Sequence, residues 1–296
     1  MIFWFFFALG SAVFHSLTQA YSNYLVSSRK FSKATISFYS TGIASIILFA
    51  ISAFRGFPAV DERFFVVVFV TGVLNFIALP LMLKGYEVGE FSSVFSMTLF
   101  TPVFAILTAF LFFGERPSLV GAIGIFLILV GLAYIGAKPA EEGQSDGHRL
   151  KDIRTGNIYG IIVALIFSVS VNFDKLAVRY SDIFFSGAFI TGFIALLNAL
   201  YLLFSDRQKA HSINERKSAF GVAALSVIGI FSAGTFIFYN AAISSGLVSY
   251  TIAIKRTGIL FGILWGWLFF CEKKLRQKLV GVVIALGGVF LIFASL

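Results

Sequence analysis

The chain has 296 residues, of which 58% are hydrophobic and 12% are charged, and its mean hydropathy is +0.93. Soluble domains carry about 25% charged residues and are less than half apolar, so the composition excludes a water-exposed globule and favours a polytopic membrane protein. The net charge of +9 does not indicate a nucleic-acid partner, because no basic stripe with interleaved aromatic residues occurs.

Ten apolar segments are each long enough to cross a bilayer, which takes about 20 residues. In chain order these predicted helices are 2–25, 33–54, 64–84, 91–113, 118–137, 156–175, 183–204, 218–243, 247–270 and 278–295. The first segment lacks the basic start and the cleavage site of a signal peptide, so we expect it to remain as a helix. The polar segment 138–155 is a predicted linker between two five-helix halves, 1–137 and 156–296.

The two halves carry related segments. Gly89 and Glu115 are 26 positions apart, as are Gly246 and Glu272. Each glutamate follows a Phe-Phe pair and one small residue, precedes a cation, and is soon followed by Leu-Val-Gly. Because an odd number of spans per repeat reverses the second copy, the sequence predicts an all-α membrane protein of ten transmembrane helices in two inverted five-helix repeats.

The distribution of basic residues predicts the orientation. Sixteen Lys and Arg residues fall in the first, third, fifth, seventh and ninth loops, and five fall in the loops on the other side. The positive-inside rule places the richer set in the cytoplasm, with both termini outside the cytoplasmic (inner) membrane.

The segments "FLFFGERPSLVGAIGIFLILVGLAYIG" and "WLFFCEKKLRQKLVGVVIALGGVFLIF" resemble the EamA-type drug/metabolite transporter family. The resemblance implies an alternating-access transporter with a central cavity lined mainly by the first, third, fourth, sixth, eighth and ninth helices. Members transport amino acids, other small metabolites and drug-like compounds. The chain departs from the family pattern in two ways: its termini lack Lys and Arg, and its ninth helix carries Lys255 and Arg256, where members are usually apolar.

Lys255 and Arg256 are adjacent cations inside the predicted ninth span, roughly 12 Å from its start at 1.5 Å per residue. A charge at the centre of a membrane helix costs about 2.5–3.5 kcal/mol on insertion scales. Neighbouring residues point about 100° apart, so the two side chains cannot share one direction. Either at least one binds an anionic substrate group or gates a coupling proton, or both are structural, in salt bridges or reaching the interface.

The sixth span ends in "VNFDKLAV", which contains Asn172, Asp174 and Lys175. The loop after the sixth helix and the loop before the ninth emerge on the same side, so Asp174 shares a membrane half with the cation pair. An ion pair with these cations would reduce the cost of burying both signs, and protonation of Asp174 would release it. The alternative is that Asp174 caps the interfacial end of the helix.

His15, Gln19 and Asn23 lie at i, i+4 and i+8 of the first span, on one helix face that we expect to border the cavity. His15 is a candidate for proton coupling because histidine titrates nearest physiological pH, the alternative being a neutral histidine bonded to another helix. Further candidates for substrate contacts share a position inside or at the ends of cavity-lining helices: Asn75, Tyr239, Asn240 and Tyr250.

Glu115 and Glu272 lie at span ends, close to the start of the following helix, where a carboxylate complements the helix dipole and caps free N–H groups. We therefore expect both to be structural. An enzyme is not expected, because the three histidines lie on separate segments and no carboxylate cluster or Ser-His arrangement occurs. The lone Cys271 leaves no cysteine-based metal site, and we expect no cofactor.

The predicted function is secondary active transport of a small metabolite, polar or anionic, such as an amino acid or organic acid, with a proton as a candidate coupling ion. The sequence contains no nucleotide-binding P-loop, so gradients would drive transport. The alternatives are an exporter of lipophilic drug-like compounds and, in another class, a channel or a structural membrane protein. The expected partners are a small-molecule substrate and the lipid bilayer, and a monomer and a homodimer both stay open.

Overall fold

In the computed structural model, the described residues are 3–27, 31, 33–88, 97–136, 147–204, 219–258, 260–262 and 275–295. Within them the chain forms ten helices in succession. In an α-helix the backbone N–H and C=O groups bond to one another, which an apolar environment requires. In chain order the helices are α1 Phe3–Ser27, α2 Lys33–Arg55, α3 Phe64–Val88, α4 Thr101–Phe113, α5 Leu119–Gly136, α6 Gly147–Arg179, α7 Ile183–Phe204, α8 Ala219–Ser245, α9 Val248–Arg256 and α10 Leu275–Ala294.

The apolar helices turn large side chains outward. Phe54 and Phe204 are 93% and 85% exposed, and similar apolar residues cover the outer faces of α4 and α5. A water-soluble monomer rarely shows so much contiguous apolar surface, whereas lipid would cover it. Among the residues that the structure describes, four helical segments are long and apolar enough to span a bilayer: Ala34–Arg55, Arg154–Arg179, Ile183–Phe204 and Ala223–Ser245.

Helix α6 is longer than its apolar part. It begins at Gly147, inside the segment predicted as a linker, and the apolar sequence begins only several residues later. A helix can extend past the bilayer into water when its end is polar, and this end carries charged residues. The division of the chain into two halves at 138–155 stays a prediction.

The helices pack in pairs that join the two halves of the chain. Helix α1 packs on α8, α3 on α6, α2 on α7, α4 on α9 and α5 on α10. Each helix of the first half has a counterpart five helices later, so α1 corresponds to α6 and α3 to α8. When every helix is replaced by its counterpart, the pair α1–α8 becomes α6–α3, and the other three pairs stay the same. These five helix pairings are therefore the same when viewed from either half.

Glycines bring α5 and α10 into direct backbone contact. A Cβ atom added to Gly124 would lie 2.7 Å from the carbonyl oxygen of Gly288, and one added to Gly288 would meet Gly124 in the same way. Only glycine permits this approach, as in other closely packed membrane helices.

Helices α4 and α9 are each interrupted, at equivalent points. Helix α9 ends at Arg256, and the N–H of the next residue, Thr257, bonds to the third carbonyl back. Phe100, which precedes α4, makes the same i→i−3 bond. Phe100 and Thr257 are 157 positions apart, the same offset as Gly89 and Gly246. Irregular backbone inside a membrane protein is tolerated where it borders a cavity, and a cavity lies beside both interruptions.

Candidate functional site

A cavity of about 250 Å³ lies at the centre of the helices. Its lining comes from α1, α3, α4, α6, α8 and α9, the six helices that the family resemblance implied. The charged lining residues are Asp174, Lys255 and Arg256. The neutral polar ones are His15, Asn75, Thr101, Ser170 and Tyr239, and the apolar ones are Phe167, Val171 and Ile252.

Both cations of α9 line the cavity, but on different walls. The Lys255 ammonium lies 4.0 Å from the centroid of the Tyr239 ring on α8. The Arg256 guanidinium donates a hydrogen bond of 3.0 Å to Thr101 Oγ1 at the start of α4. The divergence follows from the 100° step between adjacent helical residues. Both cations also lie in the last turn of α9, where the helix dipole favours positive charge.

Asp174 reaches the cavity from α6 and is linked to Lys255 through a tyrosine. Its Oδ1 accepts a hydrogen bond of 2.6 Å from Thr71, and its Oδ2 accepts one of 3.0 Å from the Tyr239 hydroxyl. The face of the same tyrosine ring carries the Lys255 ammonium, a cation–π contact. In place of the direct ion pair considered from the sequence, Tyr239 lies between the two charged groups and contacts both.

A chain of hydrogen bonds fastens α3 to α6 beside the carboxylate. Asn75 Nδ2 donates to Ser170 Oγ at 2.8 Å, and Ser170 Oγ lies 2.8 Å from Thr71 Oγ1. Because the Thr71 hydroxyl proton is directed to Asp174, Ser170 is the donor to Thr71. Asn75 thus lines the cavity, while its nitrogen holds α3 and α6 together.

Thr71 and Ser170 were missed by the sequence analysis, although a signal exists. Thr71 precedes Asn75 by four residues, and Ser170 precedes Asp174 by four, so each hydroxyl lies on the same helix face as the predicted residue. Single hydroxyls are common in apolar helices, where they bond to the carbonyl one turn back, so their presence alone does not mark a site.

The predicted stripe on α1 reaches the cavity at one position. His15 is half-buried and lines the cavity, and it makes no hydrogen bond to another residue of the described ranges. Gln19 is exposed and is absent from the cavity lining. Four residues advance about 6 Å along the helix axis, so Gln19 lies one turn beyond His15 on the same face. The side chain of Asn23 lies outside the described part of the chain.

Lys175 and Glu115 form a buried ion pair away from the cavity. Their side chains are 10% and 11% exposed, and Lys175 Nζ also donates to the carbonyl of Gly246 at 2.8 Å. Glu115 Oε2 accepts a hydrogen bond of 2.8 Å from the N–H of Val248, the first residue of α9. Glu115 therefore caps a helix, but that helix is α9 and not the following α5. Glu272 lies outside the described residues.

Two predicted asparagines are fully buried between helices. Asn172 Nδ2 donates to Thr108 Oγ1 at 3.0 Å, which joins α6 to α4. Asn240 Nδ2 donates to the carbonyl of Ile183 at 2.9 Å, which joins α8 to α7. Neither is part of the cavity lining. Such bonds between helices stabilise the packing of membrane proteins.

Tyr250 also lies outside the cavity lining. Its hydroxyl accepts a hydrogen bond of 3.0 Å from the N–H of Ser118, and its ring stacks on Trp4 with centroids 6.2 Å apart. The side chain therefore ties α9 to the loop before α5 and to α1. This arrangement orients α9 from its first turn.

Helices with outward apolar faces around a charged central cavity define the chain as an integral, multi-pass membrane protein. The sequence matches the EamA-like transporter family over residues 2–137 and 154–294. The chain belongs to this family, and the two matched segments confirm the two-repeat membership expected from the sequence. Among the described residues, no three His, Cys, Asp or Glu side chains are grouped so that they could hold a metal ion.

A solved crystal structure of another protein superposes on this chain with a TM-score of 0.73, covering 95% of each chain at 13% sequence identity. At this identity the likeness shows the fold alone. No curated protein matches the sequence.

Proposed function

We propose that the chain is a secondary active transporter that carries a small polar metabolite by alternating access. The observation that carries the proposal is the central cavity, in which Asp174, Lys255 and Arg256 from the second half meet His15 and Asn75 from the first. Charged residues inside the membrane region of a protein mark substrate and ion pathways by default. Motion of one half against the other would rearrange such a site.

The size of the cavity favours a small metabolite over a drug-like compound. Sites for drug-sized ligands measure about 300–1,000 Å³ and are mostly apolar. This cavity measures about 250 Å³, and eight of its eleven lining residues are polar or charged. The lipophilic exporter considered from the sequence is therefore the weaker alternative.

The architecture that we propose is ten transmembrane helices in two inverted five-helix repeats. Two observations support it: the helix pairs are preserved when the halves are exchanged, and the interruptions at Phe100 and Thr257 occupy equivalent positions. Paired interrupted helices around a central site are typical of transporters built from inverted repeats.

We propose that the side of the cavity near Glu115 faces outward and is closed in this structure. On that side the Glu115–Lys175 ion pair joins the loop after α4 to α6, and Gly246 and Val248 bind the same two side chains. The loop count places this side outside the inner membrane. Alternating access requires these contacts to break when the outer side opens.

A coupling proton is part of the same proposal, and Asp174 is its acceptor. Among the described residues that line the cavity, Asp174 is the one carboxylate. Protonation would remove its charge and weaken the bonds from Thr71 and Tyr239, which hold α3 and α8 against α6. The contacts that stabilise one conformation would thus depend on the proton.

Reconstitution into liposomes tests the proposed function. A panel of amino acids, organic acids and lipophilic cations is offered to vesicles with the protein and to matched vesicles without it. The proposal expects uptake that saturates with the concentration of one solute class. Ohmic conductance without saturation would instead support a channel and contradict the proposal.

A further inference from the structure

The cavity offers hydrogen-bond donors that the described residues leave unused. Lys255 Nζ contacts the face of the Tyr239 ring. It makes no hydrogen bond to any residue in the described parts of the chain. A ring face attracts a cation but does not accept three N–H bonds, so the ammonium keeps its donors for a ligand or for water.

The Asp174 carboxylate, unlike the Lys255 ammonium, already has hydrogen-bond partners among the described residues. Both oxygens of Asp174 accept hydrogen bonds from neutral groups, Thr71 and Tyr239. Its remaining negative charge faces Lys255 across the tyrosine ring. A substrate ammonium group would share the carboxylate with these donors and would be repelled by the like charge of Lys255, which contacts the same tyrosine.

His15 adds a second polar group to the cavity. It faces the cavity that contains Lys255 and makes no hydrogen bond to another described residue. A neutral imidazole supplies one N–H donor and one acceptor. With Lys255 it gives the cavity two groups whose N–H donors are not taken up by the described residues.

We propose that the substrate is a small organic anion whose acid group binds Lys255 Nζ and His15, and that a substrate amino group has no site at Asp174. This inference rests on the proposed transport function and narrows its substrate class. Acid oxygens would form charge-assisted hydrogen bonds with the ammonium, which are about twice as strong as neutral ones. Carboxylates and phosphate monoesters share this chemistry, and the volume of the cavity admits small members of both.

Matched ligands test the inference with purified protein in detergent. Succinate, aspartate and succinamide share a four-carbon chain and differ in acid and amino groups, while glycerol 3-phosphate and glycerol form the phosphate arm. The dissociation constant is measured by calorimetry. We expect succinate or glycerol 3-phosphate to bind, aspartate to bind more weakly than succinate, and succinamide and glycerol not to bind. Tighter binding of aspartate than succinate, or binding of neither acid, overturns the inference.

Two variants of the lysine locate the bound acid. Lys255→Met keeps the aliphatic stem and removes the ammonium, so affinity for the bound acid should fall about 10- to 100-fold, as expected for a charged hydrogen bond. Lys255→Arg should retain binding, and it keeps the test valid if the methionine variant does not fold. Lys84→Met, at an exposed lysine on α3, is the matched control and should bind as the wild type does. Unchanged affinity in Lys255→Met overturns the assignment.

The outcomes separate this inference from the transport proposal. Acid binding that depends on Lys255, in a protein that carries no solute across liposomes, would keep the anion site and contradict transport. Saturable uptake of a neutral or zwitterionic solute, with no binding of the acids, would keep transport and contradict the anion class.

Discussion

The buried Glu115–Lys175 ion pair should make a large contribution to stability, and its removal tests how the two halves are held together. Glu115→Ala leaves the Lys175 ammonium buried without a counter-ion, which typically costs about 3–5 kcal/mol. It also removes the cap on Val248, worth about 1 kcal/mol. Lys175 keeps its bond to Gly246 and its contact with an aromatic ring 5.4 Å away, which offset part of the loss. We therefore expect a net destabilisation of about 3 kcal/mol.

The assay is the free energy of unfolding in mixed micelles, measured by titration with a denaturing detergent. A double-mutant cycle adds Lys175→Met alone and together with Glu115→Ala. The double variant should be about 2 kcal/mol more stable than the sum of the single effects predicts, because removing both partners leaves no buried unpaired charge. Glu115→Gln, which keeps an acceptor for Val248, should fall between the wild type and Glu115→Ala.

The exposed pair Asp61–Arg63 provides the control. It has a similar hydrogen-bonded geometry but lies in a solvent-exposed loop. Asp61→Ala should have a much smaller effect than Glu115→Ala in the same assay, because the exposed pair contributes little, although the Asp61 carboxylate also accepts the backbone N–H of Arg63. A Glu115→Ala effect as small as that of Asp61→Ala, or simple addition of the effects at positions 115 and 175, would contradict a buried and coupled ion pair.

Three further predictions concern packing, coupling and orientation. Gly288→Leu should lower the midpoint of thermal unfolding, because its Cβ meets the backbone of α5, whereas Gly287→Leu points into open space and should be tolerated; equal effects would contradict the packing. Asp174→Asn should still fold but lose the acceleration of liposome uptake by a pH gradient, and retained acceleration would remove Asp174 as the proton acceptor. In a cysteine-free background, Glu62→Cys should react with an impermeant maleimide on intact cells and Lys84→Cys only after permeabilisation; the reverse pattern would invert the proposed orientation.

Hydropathy predicted the bounds of a helix well where the apolar segment and the helix have the same length. The second span was predicted at 33–54, and α2 covers Lys33–Arg55. The interruptions at Phe100 and Thr257 could not be predicted in the same way, because the apolar sequence continues across both points. Both points lie beside a contact between α9 and α4, the bond from Arg256 to Thr101.

The charged residues of the candidate site were predictable from the sequence, whereas the groups that they bond to were less predictable. Lys255 and Asp174 were identified because charge inside a span is costly, and both line the cavity. Their connection through Tyr239 required the structure. The partner of Glu115 is the N–H of Val248, 133 residues further along the chain, and no local pattern in the sequence reveals which helix a carboxylate caps.

Solute counterflow in proteoliposomes shows whether an acid crosses the bilayer through a site at Lys255. Vesicles are loaded with unlabelled succinate or glycerol 3-phosphate, diluted, and given a trace of the same labelled acid outside. We expect a transient accumulation of label in the wild type and in Lys84→Met, and its loss in Lys255→Met. Absence of this overshoot in the wild type for both acids, or an undiminished overshoot in Lys255→Met, would contradict this expectation.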